Sequence, residues 1–343
     1  MKRLLNTLYI TTPDIFLALD GENIVLQKES NILGRVPLHN LESIVAFGFK
    51  ATSPALMGKC AQSGIELVYL SMNGKFLARI QGETHGNVLL RRQQYRYADD
   101  ASKSLEICRN MISAKLFNSR RSVERTRRDH PLRIDTNEFI HCSSLLKKSY
   151  ERANKAPDKD TLRGIEGEGA QIYFSLFNQM ILQQKEDFFF RTRSKRPPLD
   201  NVNALLSFSY ALATSMCTSA LEAVGLDAYV GFMHTDRPGR RSLALDLVEE
   251  LRSPLCDRFV LSLINKKIIT SSDLIQREDG SVILTEQGRK TFLSAWQSRK
   301  DDELVHPFLE TKIKWGLLPY CQALLLARCI RGDLDTYPPF LWK

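Results

Sequence analysis

Apolar and polar positions alternate over the first eighty residues, then give way to a three-to-four-residue period that runs through most of the remaining chain. Residues 15–19 and 24–27 flank Asp20-Gly21-Glu22-Asn23 and predict one hairpin. Residues 65–70 and 75–80 flank Asn73-Gly74, a dipeptide suited to the positive φ of a tight turn, and predict a second. A short helix is expected between them at 53–62. The segment 81–97, with Gly82, Gly86, Arg91 and Arg92, has no clear period and is taken as a polar connector. Helical spacing then dominates at 101–128, 136–152, 160–188, 199–224 and 242–251, with few glycines or prolines inside. The predicted class is α+β: a small N-terminal β-rich domain at 1–84, a linker at 85–100 and a larger, mainly α-helical C-terminal domain at 101–343. Residues 274–296, with a turn at Asp279-Gly280 and a helix opening after Thr285, locally resemble the wing and last helix of winged-helix domains.

Composition supports two folded domains without naming a task. The chain has 343 residues, 43% hydrophobic and 25% charged, which argues against long disorder. Its 48 Lys and Arg against 39 Asp and Glu give +9, a balance that suits a polyanion partner but is not specific to one. Seven scattered cysteines without a CxxC pair indicate neither a disulfide framework nor a zinc knuckle. Asn6 and Thr7 interrupt the first apolar stretch, so no signal peptide is expected. No apolar run of roughly 18 residues is evident, so the expectation is a cytoplasmic protein without a membrane span.

Three stretches could carry chemistry. In 162–174, Gly164, Gly167 and Gly169 sit inside a helical pattern, each costing about 1 kcal/mol of helix propensity. Such a cost suggests close approach of a helix or a ligand, with Glu166 either a ligand or a solvated side chain. The loop 231–241 presents His234 among Arg237, Arg240 and Arg241, a group of cations fitted to phosphate oxygens. The helix 242–251 places Asp246, Glu249 and Glu250 beside an apolar stripe, where they could bind a hard cation or face water. Two carboxylates and an imidazole without a nearby thiolate suit Mg²⁺ or Mn²⁺ better than zinc. Basic clusters lie on either side in sequence, Lys115 to Arg128 and Arg191, Arg193, Lys195 and Arg196, each as consistent with a solvated face as with a phosphate track.

Taken together, Leu8-Tyr9-Ile10-Thr11-Thr12 with Leu19 to Asn23, Gly164-Ile165-Glu166-Gly167 continuing to Tyr173 and Phe174, Arg191 to Asn203 and Gly231 to Glu250 resemble the CRISPR-associated integrase family, the first Cas protein, which acts in spacer acquisition. The resemblance implies Glu166, His234 and Glu249 as metal ligands, Asp246 in support and Glu250 as a bystander. It also implies Arg163 and Arg237 near phosphates. Family members often have Asp where this chain has Glu249. Implied too are a homodimer, a second Cas protein as partner, double-stranded DNA as substrate, and attack of a 3′-hydroxyl on a phosphodiester at a CRISPR repeat. The competing expectation is a non-catalytic DNA-binding regulator built on the wing-like segment.

Overall fold

The computed structural model describes residues 6–342 apart from 13, 30, 49–50, 73–75, 81 and 83–86. Contacts divide the chain into two units, Met1–His85 with Leu284–Ser298, and Gly86–Ile283 with Arg299–Lys343.

The first unit contains β1 (Asn6–Ile10), β2 (Phe16–Asp20), β3 (Asn23–Lys28), β4 (Asn31–Pro37), β5 (Leu41–Phe47), α1 (Pro54–Ser63), β6 (Glu66–Leu70) and β7 (Phe76–Ile80). Strands β2, β3 and β4 form an antiparallel meander, whose first turn is a two-residue loop with Gly21 at φ 57°. The other sheet runs β1-β5-β6-β7, parallel until its last strand. Leu17, Ile24, Ile44, Leu56 and Leu67 fill the core. Both hairpins and α1 lie where the alternation places them. The Asn73-Gly74 turn and the expected boundary at residue 84 fall outside the described residues.

The second unit contains α2 (Val88–Asp99), α3 (Ala101–Asp129), α4 (Thr136–Ala153), α5 (Lys159–Ser175), α6 (Phe177–Met180), α7 (Asn201–Ala223) and α8 (Ser242–Leu251). A π-helical turn, Arg252–Asp257, joins α8 to α9 (Arg258–Asn265). Along the chain there follow β8 (Leu274–Gln276) and β9 (Val282–Leu284), then α10 (Glu286–Asp301), most of which belongs to the first unit, and, back in the second, β10 (Glu303–Val305), β11 (Lys312–Lys314) and α11 (Leu318–Arg331). Helix α3 packs against α4, α5 and α8. Its Leu105, Cys108, Ile112, Leu116, Ser119 and Val123, spaced three or four apart, are buried. Asp100, Asp135, Asp158 and Asp200 cap α3, α4, α5 and α7 by accepting backbone N–H groups of the first turn. All seven cysteines are buried and free.

Four expectations need correction. The linker at 85–100 is largely the helix α2, because Leu90 and Gln94, one turn apart, both bury into the second unit. The helix expected over 160–188 ends at Ser175. Beyond α6, Gln184 takes φ 54°, its amide donates to the Ile264 and Ile269 carbonyls, and Phe174, Phe177 and Phe190 pack together. Tertiary partners there outweigh local helix propensity. The wing-like segment is split, since residues up to 283 belong to the second unit and Leu284–Ser298 to the first. Finally, α7 is long and apolar enough by length and composition to span a membrane, yet it is largely buried and packs against α8 and α11.

Pro254 lies within the π-helical turn and cannot donate to the preceding helix, so the Glu250 carbonyl accepts instead from Asn118 Nδ2 at 2.8 Å. The same Asn118 amide donates to the Phe340 carbonyl and accepts from Trp342 N. The Glu250 carboxylate accepts from Tyr337 Oη at 2.6 Å, Gln322 Nε2 at 2.9 Å and Phe340 N at 2.7 Å. The expected bystander thus anchors the C-terminal segment to α8. Burial raises the Glu250 carboxyl to about 7, against the lowering effect of these donors. A carboxyl raised in the folded state binds more protons there than in the unfolded chain, so its stabilising effect is present below about pH 4.5 and lost as pH rises through 7. Glu250→Gln should therefore gain stability relative to the native chain between these values, by on the order of 3 kcal/mol at most. Denaturant melts of both proteins at several pH values check this; parallel pH profiles would contradict it.

Candidate metal centre

The chemistry-bearing residues converge in the second unit. Helix α8 is buried almost throughout, Asp246, Glu249 and Glu250 included, so the solvated acidic face is not what forms. Each carboxylate meets a different answer.

Asp246 faces the loop before α8. Its Oδ2 accepts from Phe232 N at 2.7 Å and Met233 N at 3.0 Å, and its Oδ1 from His234 N at 3.0 Å. The His234 Nδ1 lies 2.6 Å from the same Oδ1. An ionised carboxylate can only accept, so this contact assigns the ring proton of neutral His234 to Nδ1 and leaves the Nε2 lone pair as donor. Gly231 makes the approach possible: a Cβ there would lie 2.7 Å from Ser242 Cβ and 2.9 Å from Asp246 Oδ2.

The loop is also held from α2. Gln94 Nε2 donates to the carbonyls of Asp227 at 2.8 Å and Val230 at 2.9 Å, while its Oε1 accepts from Asp227 N at 2.9 Å. Gln94 is fully buried. Only the four-residue spacing from Leu90 hints at it in the sequence.

Glu249 and Glu166 meet on one cation. The Lys115 ammonium of α3 bonds Glu166 Oε1 on α5 and lies 2.7 Å from Glu249 Oε2. Arg252, in the π-helical turn, reaches Glu249 Oε1 at 2.9 Å. Burial opposes ionisation of Glu249, but Arg252, Lys115 and His234 outweigh it and hold the carboxyl down at about 2. In the sequence Lys115 is only one cation of a basic run, and no pattern marks Arg252.

A cavity of about 500 Å³ opens beside this pair, lined by Lys115, Glu166, Arg191, Arg193, Lys195 and Arg252 together with Tyr210 and Asp257. Burial lowers the Arg193 and Lys195 pKa values, with neighbouring cations adding to the effect at Lys195. Arg193 is fixed by Asn203 Oδ1 at 2.6 Å and Ser207 Oγ at 3.1 Å, and the exposed Arg191 sits over the Phe189 ring. Asp257, bonded by Tyr210 Oη at 2.5 Å, is raised by burial to about 6, and no motif marks it in the sequence. A shallower cleft of about 430 Å³ gathers His234, Arg163, Lys159 and Asp236. Arg163 pairs with Asp160 at 2.5 Å. Arg237 and Arg240 line neither space, and Arg237 is exposed. Of the three helix glycines, Gly169 alone is a packing requirement, because a Cβ would come within 2.2 Å of Leu116; Gly164 and Gly167 face open space.

Among the described residues, no three His, Cys, Asp or Glu side chains stand gathered as a metal cluster. The donor set nevertheless fits a hard cation. Glu249 Oε2 is buried without a well-formed hydrogen bond, Glu166 and Glu249 share an ammonium, and His234 offers an oriented imidazole.

The chain combines a β-rich unit with a helical unit that carries buried carboxylates beside basic cavities. Residues 8–298 match the family model for CRISPR-associated protein Cas1. CRISPR-associated endonuclease Cas1 2 of Rhodospirillum rubrum is 50% identical over 347 residues, covering 100% of both chains. A casposase bound to integration product shares the fold with TM-score 0.82 at 21% identity, covering 97% of this chain and 92% of that one. So does a chain of a Cas6-RT-Cas1–Cas2 complex, with TM-score 0.82 at 20% identity, covering 100% of this chain and 36% of that one. The chain belongs to the Cas1 family of CRISPR-associated endonucleases.

The Gln94 clasp makes the His234 loop depend on α2. Gln94→Ala would strand two carbonyls and one N–H, easing local opening by about 2 kcal/mol. Amide exchange at Phe232 to His234 should accelerate about 30-fold. Unchanged exchange at those amides would show that the clasp does not hold the loop.

Proposed function

We propose that the chain is a Mg²⁺- or Mn²⁺-dependent DNA integrase and endonuclease of CRISPR adaptation, with Glu166, His234 and Glu249 holding the metal. The observation that carries this reading is the pairing of Glu166 and Glu249 across Lys115. Two carboxylates from different helices are drawn to one positive charge beside a basic cavity. The metal, when bound, would lower the cost of charge building on a phosphate under attack. Asp246 fixes the His234 tautomer, and Arg252 holds one oxygen of Glu249 so that the other stays turned to Lys115. Lys195, Arg191 and Arg193 line the cavity with charge suited to a DNA phosphate. Arg163 would serve on the His234 side, with Arg237 and Arg240 on the loop. The reaction is attack of a 3′-hydroxyl of a captured fragment on a phosphodiester of double-stranded repeat DNA, and hydrolysis results when water attacks instead. A homodimer and the second Cas protein complete the proposed assembly, in keeping with the Cas1–Cas2 complex named above.

Joining of a labelled fragment to repeat DNA should require Mg²⁺ or Mn²⁺ and stop with EDTA. Glu166→Gln, His234→Ala and Glu249→Gln should each abolish it in a folded protein, and Asp246→Asn should slow it about 10- to 100-fold. Wild-type joining by all three ligand variants would remove these residues from the site. Lys115→Met supplies a check independent of turnover. Without its ammonium the facing carboxylates repel, so Tm should fall in EDTA and recover with Mn²⁺ to a greater extent than in the native chain. Equal Mn²⁺ responses in the two proteins would argue against a shared cation position.

A further inference from the structure

A second basic cleft, of about 380 Å³, lies between the end of α3, the turn after it and α9. Its charged lining is Arg125, His130, Arg133, Arg258 and Lys266 against one carboxylate, Asp129. It shares no lining residue with the cavity beside Glu166. Lys115 and Arg125 are ten residues apart on α3, about 15 Å along its axis.

Four permanent cations, Arg125, Arg133, Arg258 and Lys266, face one carboxylate in this lining. Arg258 Nη1 is buried without a hydrogen-bond partner. Burial, followed by the nearby Arg125 and Arg299, pulls the Arg258 pKa down to about 10, so the protein crowds like charges here at a cost. Asp129 is already engaged by Arg125 at 3.3 Å and Arg128 at 2.9 Å. Packing keeps the guanidiniums in place: those of Arg258 and Arg125 lie 4.3 Å and 5.7 Å from the centre of the Trp342 ring. Arg133 is held by its bond to the Leu182 carbonyl. An adjoining cavity shares Arg125 and Arg258 and adds Arg299, but also Glu303 and Glu310, so the cleft with Lys266 carries the larger excess of positive charge.

We propose that this cleft is a phosphate-binding site, in which Arg125, Arg133, Arg258 and Lys266 hold a backbone phosphate of a nucleic acid strand away from the carboxylate centre. Arg133 and Arg258, fixed and without a carboxylate partner among the described residues, together with Arg125, which shares Asp129 with Arg128, match the several oxygens of one phosphate. Nucleic acid as the source rests on the functional reading above, whereas the phosphate chemistry does not. Free phosphate is the other source.

The test uses the full chain in EDTA, so strand transfer plays no part. Binding of a labelled single-stranded oligonucleotide is followed by anisotropy from about 50 to about 300 mM salt. Arg133→Gln/Arg258→Gln should weaken binding about tenfold or more and make the log–log salt slope shallower by roughly 0.7, the contribution of the one phosphate no longer neutralised. Lys148→Gln/Lys155→Gln, two exposed lysines removed from α4 and the segment after it, is the charge-matched control and should change the slope by less than half as much. If Arg258→Gln prevents folding, Arg133→Gln/Lys266→Gln carries the same expectation. Calorimetric titration with inorganic phosphate separates the sources. Phosphate heats abolished in the variant, with oligonucleotide binding unaltered, would overturn the nucleic acid assignment in favour of free phosphate. A variant that matches the control in both measurements would overturn the site. Failure of strand transfer by the native chain, with the salt-slope effect intact, would count against the catalytic reading alone.

Discussion

Burying Asp246, Glu249 and Glu250 on one ten-residue helix sets the terms for the second unit, because a carboxylate removed from water must be hydrogen-bonded, paired or protonated. Each solution recruits a different part of the chain. Asp246 collects the backbone of 232–234 and the His234 ring, Glu249 draws Lys115 and Arg252, and Glu250 gathers Gln322, Tyr337 and Phe340. The opposite perturbations at Glu249 and Glu250 follow from these partners. Cations hold the first ionised, whereas neutral donors alone only partly offset burial at the second.

The π-helical turn that follows is part of the same arrangement. Pro254 interrupts the backbone ladder, Asn118 takes up the freed Glu250 carbonyl, and the turn presents Arg252 to Glu249 and Asp257 to Tyr210. An uninterrupted helix would rotate residues after Leu251 onto other faces. The irregular turn therefore belongs to the electrostatics of the centre as much as to the fold.

Much of the architecture was legible in the sequence, because alternation and helical spacing report which face of an element meets a core. The β2–β3 hairpin, α1, α3, α4, α7 and α8 form close to where the pattern places them. Failures arose where side-chain partners distant in sequence outweigh local preference. Gln94 turns an unpatterned connector into a helix docked on the His234 loop, and the contacts of Gln184 end a helix that periodicity would prolong. The glycine run was partly misleading: Gly169 is packed against Leu116, while Gly164 and Gly167 meet open space.

The sequence by itself determined the two kinds of structure, the order of the elements and the residue types at the centre, since these depend on local period and chemical identity. It left Asp246, Glu249 and Glu250 indistinguishable, three acids on one short helix. Only the tertiary structure decided which of them orients a histidine, which shares a cation with Glu166 and which fastens the C-terminal segment. That decision depends on groups distant in the chain, such as His234, 12 residues from Asp246, and Phe340, 90 residues from Glu250, that come within hydrogen-bond reach only when the helices pack.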